Sequence, residues 1–120
     1  MQRVTLRVKT DAEGAATIYG PNHCRGLVDR VKFDPGTMEG TPTLTLTGSV
    51  GGETIWVQTA SLTATTARPR ATVQTSAQVD VTYDGTRKIY EKYAVVDEQL
   101  KLVVSGGGNA KAGTVEVTLI

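Results

Sequence analysis

The stretch LKLVVSGGGNAKAGTVEVTL, residues 100–119, carries the clearest structural signal in the chain. On both sides of its glycines, apolar residues alternate with polar ones, which is the period-two pattern of half-buried β-strands. A phosphate-binding loop requires a helix after its glycines, but the run from Thr114 to Leu119 alternates as a strand. The stretch therefore predicts a β-hairpin in which residues 100–104 pair with residues 114–119.

Period-two alternation recurs along the chain, and turn-forming residues separate the runs. The alternating runs are residues 4–8, 30–33, 43–47, 55–57, 79–84, 100–104 and 114–119. Threonine and valine are abundant, and β-branched side chains favour strands over helices. The pattern predicts an all-β fold, an antiparallel two-layer β-sandwich that is jelly-roll-like, with about seven to nine strands. A small barrel is the alternative.

The length of 120 residues fits a single domain spanning residues 1–120, and the composition contains no linker. One segment departs from the alternation: residues 61–77 are rich in threonine and alanine and carry Arg68, Pro69 and Arg70 at their centre. Proline keeps the preceding residue extended and removes a hydrogen-bond donor. We expect a long surface loop or an edge strand here. The alternative is an arm that lies on a neighbouring subunit.

The charge and cysteine content restrict the possible partners. The formal net charge is +1, so binding to nucleic acid or to an anionic membrane is not expected. Cys24 is the single cysteine, which excludes an intramolecular disulfide and predicts a buried or half-buried thiol. The segment MQRVTLRVKT, residues 1–10, lacks the apolar core of a signal peptide, so we expect synthesis in a cytoplasm without export.

Candidate catalytic residues are few. His23 is the single histidine and is adjacent to Cys24, so in an extended chain their side chains point to opposite faces, a poor geometry for a nucleophile and its base. One histidine and one cysteine also fall short of the three protein ligands of a catalytic zinc site. Carboxylates on strand-like or turn segments are expected to be solvated; these are Asp80, Asp84, Asp97 and Glu98, the last two at a turn. We therefore expect no enzymatic activity and no cofactor.

Two further positions carry specific expectations. Asp29 shares its alternation parity with the apolar residues of its run, so it should face the core side and pair with Arg25 or Arg30, or lie at a sheet edge. Trp56 lies between apolar neighbours, which favours an anchor in the core or in an interface. The alternative is a sugar-stacking platform formed with the tyrosines at positions 83, 90 and 93.

Three segments together resemble a family of small structural proteins of tailed bacteriophages. They are residues 44–56 with "LTLTGSVGGETIW", the Arg68-Pro69-Arg70 segment, and residues 97–115 with "DEQLKLVVSGGGNAKAGTV". Members of that family tend to have a "TxTG" strand, a glycine-rich turn, an "IW" pair, a Pro-Arg segment and a closing glycine-rich hairpin. The resemblance covers about residues 27 to 119.

The resemblance implies a virion component, and within the virion a capsid decoration (cement) protein that binds and stabilises the head. The implied partners are the major capsid protein or other virion proteins and further copies of the chain, with a trimer favoured. A position at the head–tail collar or on the tail is the alternative, and a carbohydrate- or receptor-binding module is the competing class. The candidate subunit or capsid contacts are Arg68, Pro69, Arg70 and Trp56, together with the N-terminal strand.

Overall fold

The structure, a computed structural model, describes residues 2–21, 24–59, 62–74, 76–82, 85–88 and 90–120. These residues form β-strands and turns, with no helix in any of the described ranges. The eleven strands are β1 (Gln2–Lys9), β2 (Ala16–Tyr19), β3 (Cys24–Asp34), β4 (Thr43–Gly48), β5 (Thr54–Gln58), β6 (Thr65–Ala67), β7 (Arg70–Thr72), β8 (Tyr90–Lys92), β9 (Ala94–Glu98), β10 (Leu100–Ser105) and β11 (Ala112–Leu119). The all-β prediction is confirmed.

The strands form two main sheets and one small ribbon. The first sheet has the order β1-β11-β3-β6, with β9 paired to the first half of β3, and the second has the order β2-β10-β4-β5. Strands β7 and β8 pair separately as a two-stranded ribbon. Every pairing is antiparallel, and the sheets curl into a half-barrel.

The core is built from the alternating apolar residues that the sequence pattern identifies. The inward positions of the longest strands are almost completely buried: Val4, Leu6, Val8, Val31, Phe33, Leu44, Leu46, Leu100, Leu102, Val104, Val115, Val117 and Leu119. Both main sheets contribute to this one cluster. Burial of each such side chain contributes on the order of 1.5–3 kcal/mol, so the alternation fixes which face of each strand is buried.

The predicted hairpin between residues 100–104 and 114–119 is wrong. Strand β10 pairs with β2 and β4, whereas β11 pairs with β1 and β3 in the other sheet. The glycine-rich segment between them crosses from one sheet to the other. Alternation shows that each run is a strand with one buried face, but it does not identify the neighbouring strand.

The crossing segment lies against two other turns. The Gly107 amide donates to the Gly14 carbonyl at 3.0 Å, and the Glu39 amide donates to the Gly107 carbonyl at 3.1 Å. Gly14 has a φ of +79°, and a Cβ atom there would lie 2.8 Å from the amide nitrogens of Gly107 and Gly108. The glycines therefore allow a close backbone approach as well as a bend.

Among the described residues, three strand pairs contain a register shift, and two of these shifts, at β-bulges in β3 and β5, change which side chains are buried. In β3, Val28 pairs with Leu119 and Arg30 pairs with Thr118, so Asp29 is an extra residue and Leu27 is exposed instead of buried. In β5, Trp56 pairs with Leu46 and Thr54 pairs with Thr47, which leaves Ile55 as the extra residue. A bulge places consecutive residues on one side of a strand, and Ile55 and Trp56 are accordingly both buried.

Other parts of the sequence prediction also need correction. The run 79–84 was predicted as a strand, but its described residues form no strand. They make only two isolated bridges, from Asp80 to Gln74 and from Thr82 to Lys88. Asp97 and Glu98, predicted at a turn, lie in strand β9. In the segment 61–77, β6 pairs with β3 at the edge of the first sheet, and β7 pairs with β8. The arm on a neighbouring subunit stays a prediction.

Replacement of Gly14 by alanine tests the close approach at the crossing segment. Gly52 is the matched control, because its φ is +69° and a Cβ there would meet nothing within 4 Å. We expect Gly52→Ala to cost about 1–2 kcal/mol for the left-handed backbone alone. Gly14→Ala should cost about 1–3 kcal/mol more, because its Cβ overlaps backbone atoms. Urea denaturation measures both; equal losses would contradict the close-approach argument.

Candidate functional site

The outer face of the first sheet contains a polar cleft of about 350 Å³. Arg3 from β1, Arg30 and Lys32 from β3, Thr66 from β6 and Glu116 from β11 line it. Strand register brings these residues together, because Glu116 is opposite Lys32, and Lys32 in turn is opposite Thr66. Residues far apart in sequence thus form one surface, which we call the basic cleft.

The basic cleft has an excess of positive charge. Three cationic side chains face one carboxylate among its lining residues, which leaves a formal charge of +2. Within the described residues, the ion pairs of the chain involve other groups, at Asp29, Asp80 and Glu39. The cations of the cleft are therefore available to a ligand.

A buried hydroxyl lies beside these cations. Thr118 is paired with Arg3 on one side and with Arg30 on the other. Its side chain is on the outer face by alternation, yet the residue is only 2% exposed. Its Oγ1 has no hydrogen-bond partner within the part of the chain that the structure describes. An unpaired buried hydroxyl costs free energy, so this atom would gain from an acceptor.

The Arg68-Pro69-Arg70 segment is attached to the bulge in β3. Arg68 Nη1 lies 3.5 Å and Arg70 Nη2 3.7 Å from the Asp29 carboxylate. Arg70 Nη1 also donates to the Asp29 carbonyl at 3.1 Å. Asp29 pairs with arginines, as the sequence predicted, but the partners are Arg68 and Arg70 rather than Arg25 or Arg30, because the bulge turns its side chain toward the segment after β6.

The two arginines of this segment differ in their availability. The Arg70 side chain is 26% exposed and also donates to the Pro69 carbonyl at 2.8 Å, so its guanidinium is committed to the chain itself. The Arg68 side chain is 60% exposed. An exposed ion pair contributes about 0–1 kcal/mol, so Arg68 can exchange Asp29 for another acid at small cost.

Trp56 belongs to the core rather than to a sugar-binding platform. It is 8% exposed, and its ring centroid lies 6.3 Å from that of Phe33 with an interplanar angle of 50°. Tyr93 is partly buried against the same core and Tyr90 is exposed, while Tyr83 lies outside the described residues. The core-anchor prediction for Trp56 is confirmed, and a stacking face on this residue is absent.

The carboxylates have structural partners. Asp80 accepts hydrogen bonds from Thr72 Oγ1 and Gln74 Nε2, both at 2.9 Å, and pairs with Lys88 Nζ at 2.9 Å. Glu98 accepts a hydrogen bond from the Gly51 amide at 3.3 Å. Asp84 lies outside the described residues. Among the described residues, no three histidine, cysteine or acidic side chains cluster as a metal site would require.

Cys24 is fully buried, as predicted, and its thiol donates to the Pro21 carbonyl at 3.2 Å. Burial raises the pKa of the Cys24 thiol, which keeps it protonated and unreactive. His23 lies outside the described residues. None of the described segments forms a helix of the length and apolarity that a membrane span would need.

The outer face of the second sheet contrasts with the basic cleft. Its outward-facing members are exposed or half-buried and are mostly threonine and valine: Thr17, Tyr19, Thr43, Thr45, Thr47, Val57, Lys101, Val103 and Ser105. Val57 and Val103 are 48% and 38% exposed. Lys101 is the one charged residue of this set, and its Nζ lies 6.0 Å from the Tyr19 ring centroid. We call this surface the neutral face.

A third surface feature is a shallow apolar hollow of about 340 Å³ beside the bulged half of β3. Arg25, Gly26 and Leu27 line one side, and Ala94 and Val95 of β9 line the other. The hollow has no acid–base pair among its lining residues. Alternation did not reveal the hollow, because the polar residue Asp29 at a core-facing position does not by itself show that a bulge exposes Leu27.

Comparisons with family models, curated proteins and solved structures gave no match to this chain.

The contacts of Asp80 predict how the stability of the fold depends on pH. Hydrogen bonds from Gln74, Lys88 and Thr72 lower the pKa of Asp80 from 3.8 to about 2. Because the pKa is lowered in the folded state, the stabilisation is complete above pH 3.8 and is lost as the pH falls toward 2. Carbon-detected NMR titration should place the Asp80 midpoint near 2, and Lys88→Gln should raise it. A midpoint near 3.8 in the parent protein would contradict these contacts.

Proposed function

We propose that this chain is a structural protein of a tailed-bacteriophage virion, and specifically a capsid decoration protein that binds the head. The observation that carries the proposal is the neutral face, a broad strand surface with one charge in a chain that is 21% charged. Depletion of charged residues is typical of the centre of protein–protein interfaces. The family resemblance of residues 27–119 supplies the virion as the setting.

We further propose that the two main sheets are the layers of a jelly-roll-like sandwich, so that their outer faces point in opposite directions. In this arrangement the neutral face contacts other copies of the chain in a trimer. The charged face of the first sheet, which includes Arg3 of the N-terminal strand and lies beside Arg68, then contacts the major capsid protein.

The physical effect of such binding is stabilisation of the shell by mass action. A protein that binds only the expanded capsid raises the free energy of shell opening by RT ln(1 + [L]/Kd) per site. At a free concentration of about one hundred times Kd, this amounts to roughly 2.7 kcal/mol per site. Modest affinity at each site is sufficient, because a shell offers many sites.

Sedimentation of the purified protein, alone and mixed with empty expanded heads of its phage, tests the proposed function. Co-sedimentation that saturates at a fixed copy number per head is the expected result. A ring-sized oligomer that ignores heads but binds tails would place the protein at the collar or tail instead. A monomer that binds neither would overturn the virion proposal in favour of a ligand-binding module.

Replacement of Val103 by lysine tests the role of the neutral face in self-association. A buried lysine without a partner is costly in an interface, so Val103→Lys should shift the mass in sedimentation equilibrium from trimer to monomer. The control is Thr5→Lys, which adds the same charge to the exposed outer face of β1. Both variants should keep the far-ultraviolet spectrum of the parent. A trimer that persists in Val103→Lys would contradict the assignment.

A further inference from the structure

We propose that the basic cleft binds an extended acidic segment of a partner protein, with carboxylates held by Arg3, Arg30 and Lys32. The identification of that partner as a virion protein rests on the proposed function. The binding chemistry does not, because it follows from the charge, spacing and hydrogen-bonding state of the outer face of the first sheet.

The basic cleft has more positive than negative side chains, and its cations are unpaired among the described residues. Other cationic side chains do lie within 4 Å of an acid, such as Arg68 and Arg70 beside Asp29, and Lys88 beside Asp80 at 2.9 Å. In the described part of the chain, the cations of the basic cleft have no such partner, although Glu116 lies among them. Unsatisfied arginines in a cleft favour carboxylate ligands, which the planar guanidinium can hold with two hydrogen bonds.

The spacing of Arg30 and Lys32 matches the repeat of an extended peptide. Arg30 and Lys32 are alternate residues of one strand and therefore project from the same face about 6.6–6.8 Å apart. An extended peptide with acids at alternate positions repeats at that same interval. A segment of the type acid-x-acid that lies along β3 would therefore place one carboxylate at each cation.

The positions of Arg3 and Arg30 on either side of Thr118 also suit a carboxylate. Arg3 and Arg30 lie on the strands that flank β11, and Thr118 is directly between them. Two strand spacings separate the flanking residues by about 9.5 Å, which long arginine side chains can bridge from both sides. Thr118 Oγ1 is buried beneath these side chains and has no partner among the described residues. Thr118 is not among the residues that line the cleft, so a carboxylate reaches this hydroxyl only when the two arginine side chains move apart.

The surroundings of the basic cleft favour a peptide over a nucleic acid. A smaller cleft of about 170 Å³ continues along the same strands and is lined by Lys32, Asp34, Thr114 and Glu116. The two acids there would repel a continuous phosphate backbone. The two acids do not repel a peptide whose acidic residues lie no farther along the cleft than Lys32 and whose following residues are neutral or basic.

The test is a binding measurement on the isolated chain with synthetic peptides at low salt. The probe is a fluorescein-labelled peptide of alternating aspartate and alanine, and the matched control peptide has asparagine in place of aspartate. We expect the acidic peptide to bind at least about tenfold more tightly, a difference of about 1.4 kcal/mol. Added salt should weaken that binding, because exposed charges are screened. Equal binding of the two peptides, or no binding of either at millimolar concentration, would overturn the proposal.

Charge variants locate the site. The double variant Arg3→Gln with Arg30→Gln should lose the preference for the acidic peptide. The control double variant Lys9→Gln with Lys92→Gln removes the same charge from positions outside the cleft and outside the neutral face, and should bind within about twofold of the parent. Nuclear magnetic resonance should also show the Thr118 amide among the signals most shifted by the acidic peptide. Equal losses in the two double variants would indicate a general charge effect and overturn the assignment.

Two competitors separate the possible ligands. Inorganic phosphate or a single-stranded oligonucleotide that displaces the acidic peptide at equal concentration would overturn the proposal in favour of a phosphate site. Heads that bind the Arg3/Arg30 variant as tightly as the parent would overturn this inference while the proposed function stands. A parent protein that binds the acidic peptide but no virion part would support the inference and overturn the proposed function.

Discussion

The structure depends on the close backbone contact that lets residues 106–111 cross from one sheet to the other. A Cβ at Gly107 would lie 3.0 Å from both Met38 and Thr10 side-chain carbons, and a Cβ at Gly106 would lie 2.9 Å from the Thr41 carbonyl oxygen. The Thr10 hydroxyl donates to the Gly108 carbonyl at 2.6 Å and fixes this contact. Because the crossing is tight, β10 and β11 can follow each other in sequence and still bury their apolar faces in one core from two sheets.

The bulge at Asp29 connects the core to the candidate site. On its C-terminal side, Val31 and Phe33 enter the core while Arg30 and Lys32 face outward into the basic cleft. The extra residue, Asp29, forms ion pairs with Arg68 and Arg70 through its carboxylate. These ion pairs attach the Arg-Pro-Arg segment to the sheet. One irregularity thus orients the cations of the cleft and positions the segment that the family resemblance marks as a contact. Bulges are frequent where a strand must redirect a side chain.

The two outer faces support different kinds of association. The neutral face offers exposed valine and threonine with little charge to desolvate, which suits a contact between identical copies. The basic cleft offers unpaired cations. Such charges increase the association rate and the specificity for an acidic partner more than they increase the binding affinity. The proposed decoration role uses both kinds of contact, one with further copies of the chain and one with the shell. Trp56 contributes to neither face, since it packs against Phe33 in the core.

The sequence by itself determined the all-β class, the strands with long alternation and the buried or half-buried state of Cys24. These follow from local periodicity and composition, because each strand must bury one face whatever its neighbours are. Only the tertiary structure decided that β10 and β11 separate, that Asp29 meets Arg68 and Arg70, and that Arg3, Arg30, Lys32 and Glu116 share one cleft. Strand pairing and bulges depend on contacts between residues that can lie more than a hundred positions apart, such as Thr10 with Lys111. The parity shift at Asp29 is visible in the sequence only as a polar residue at a core-facing position. That pattern does not distinguish a bulge from a buried acid, so the site could not be read from the sequence.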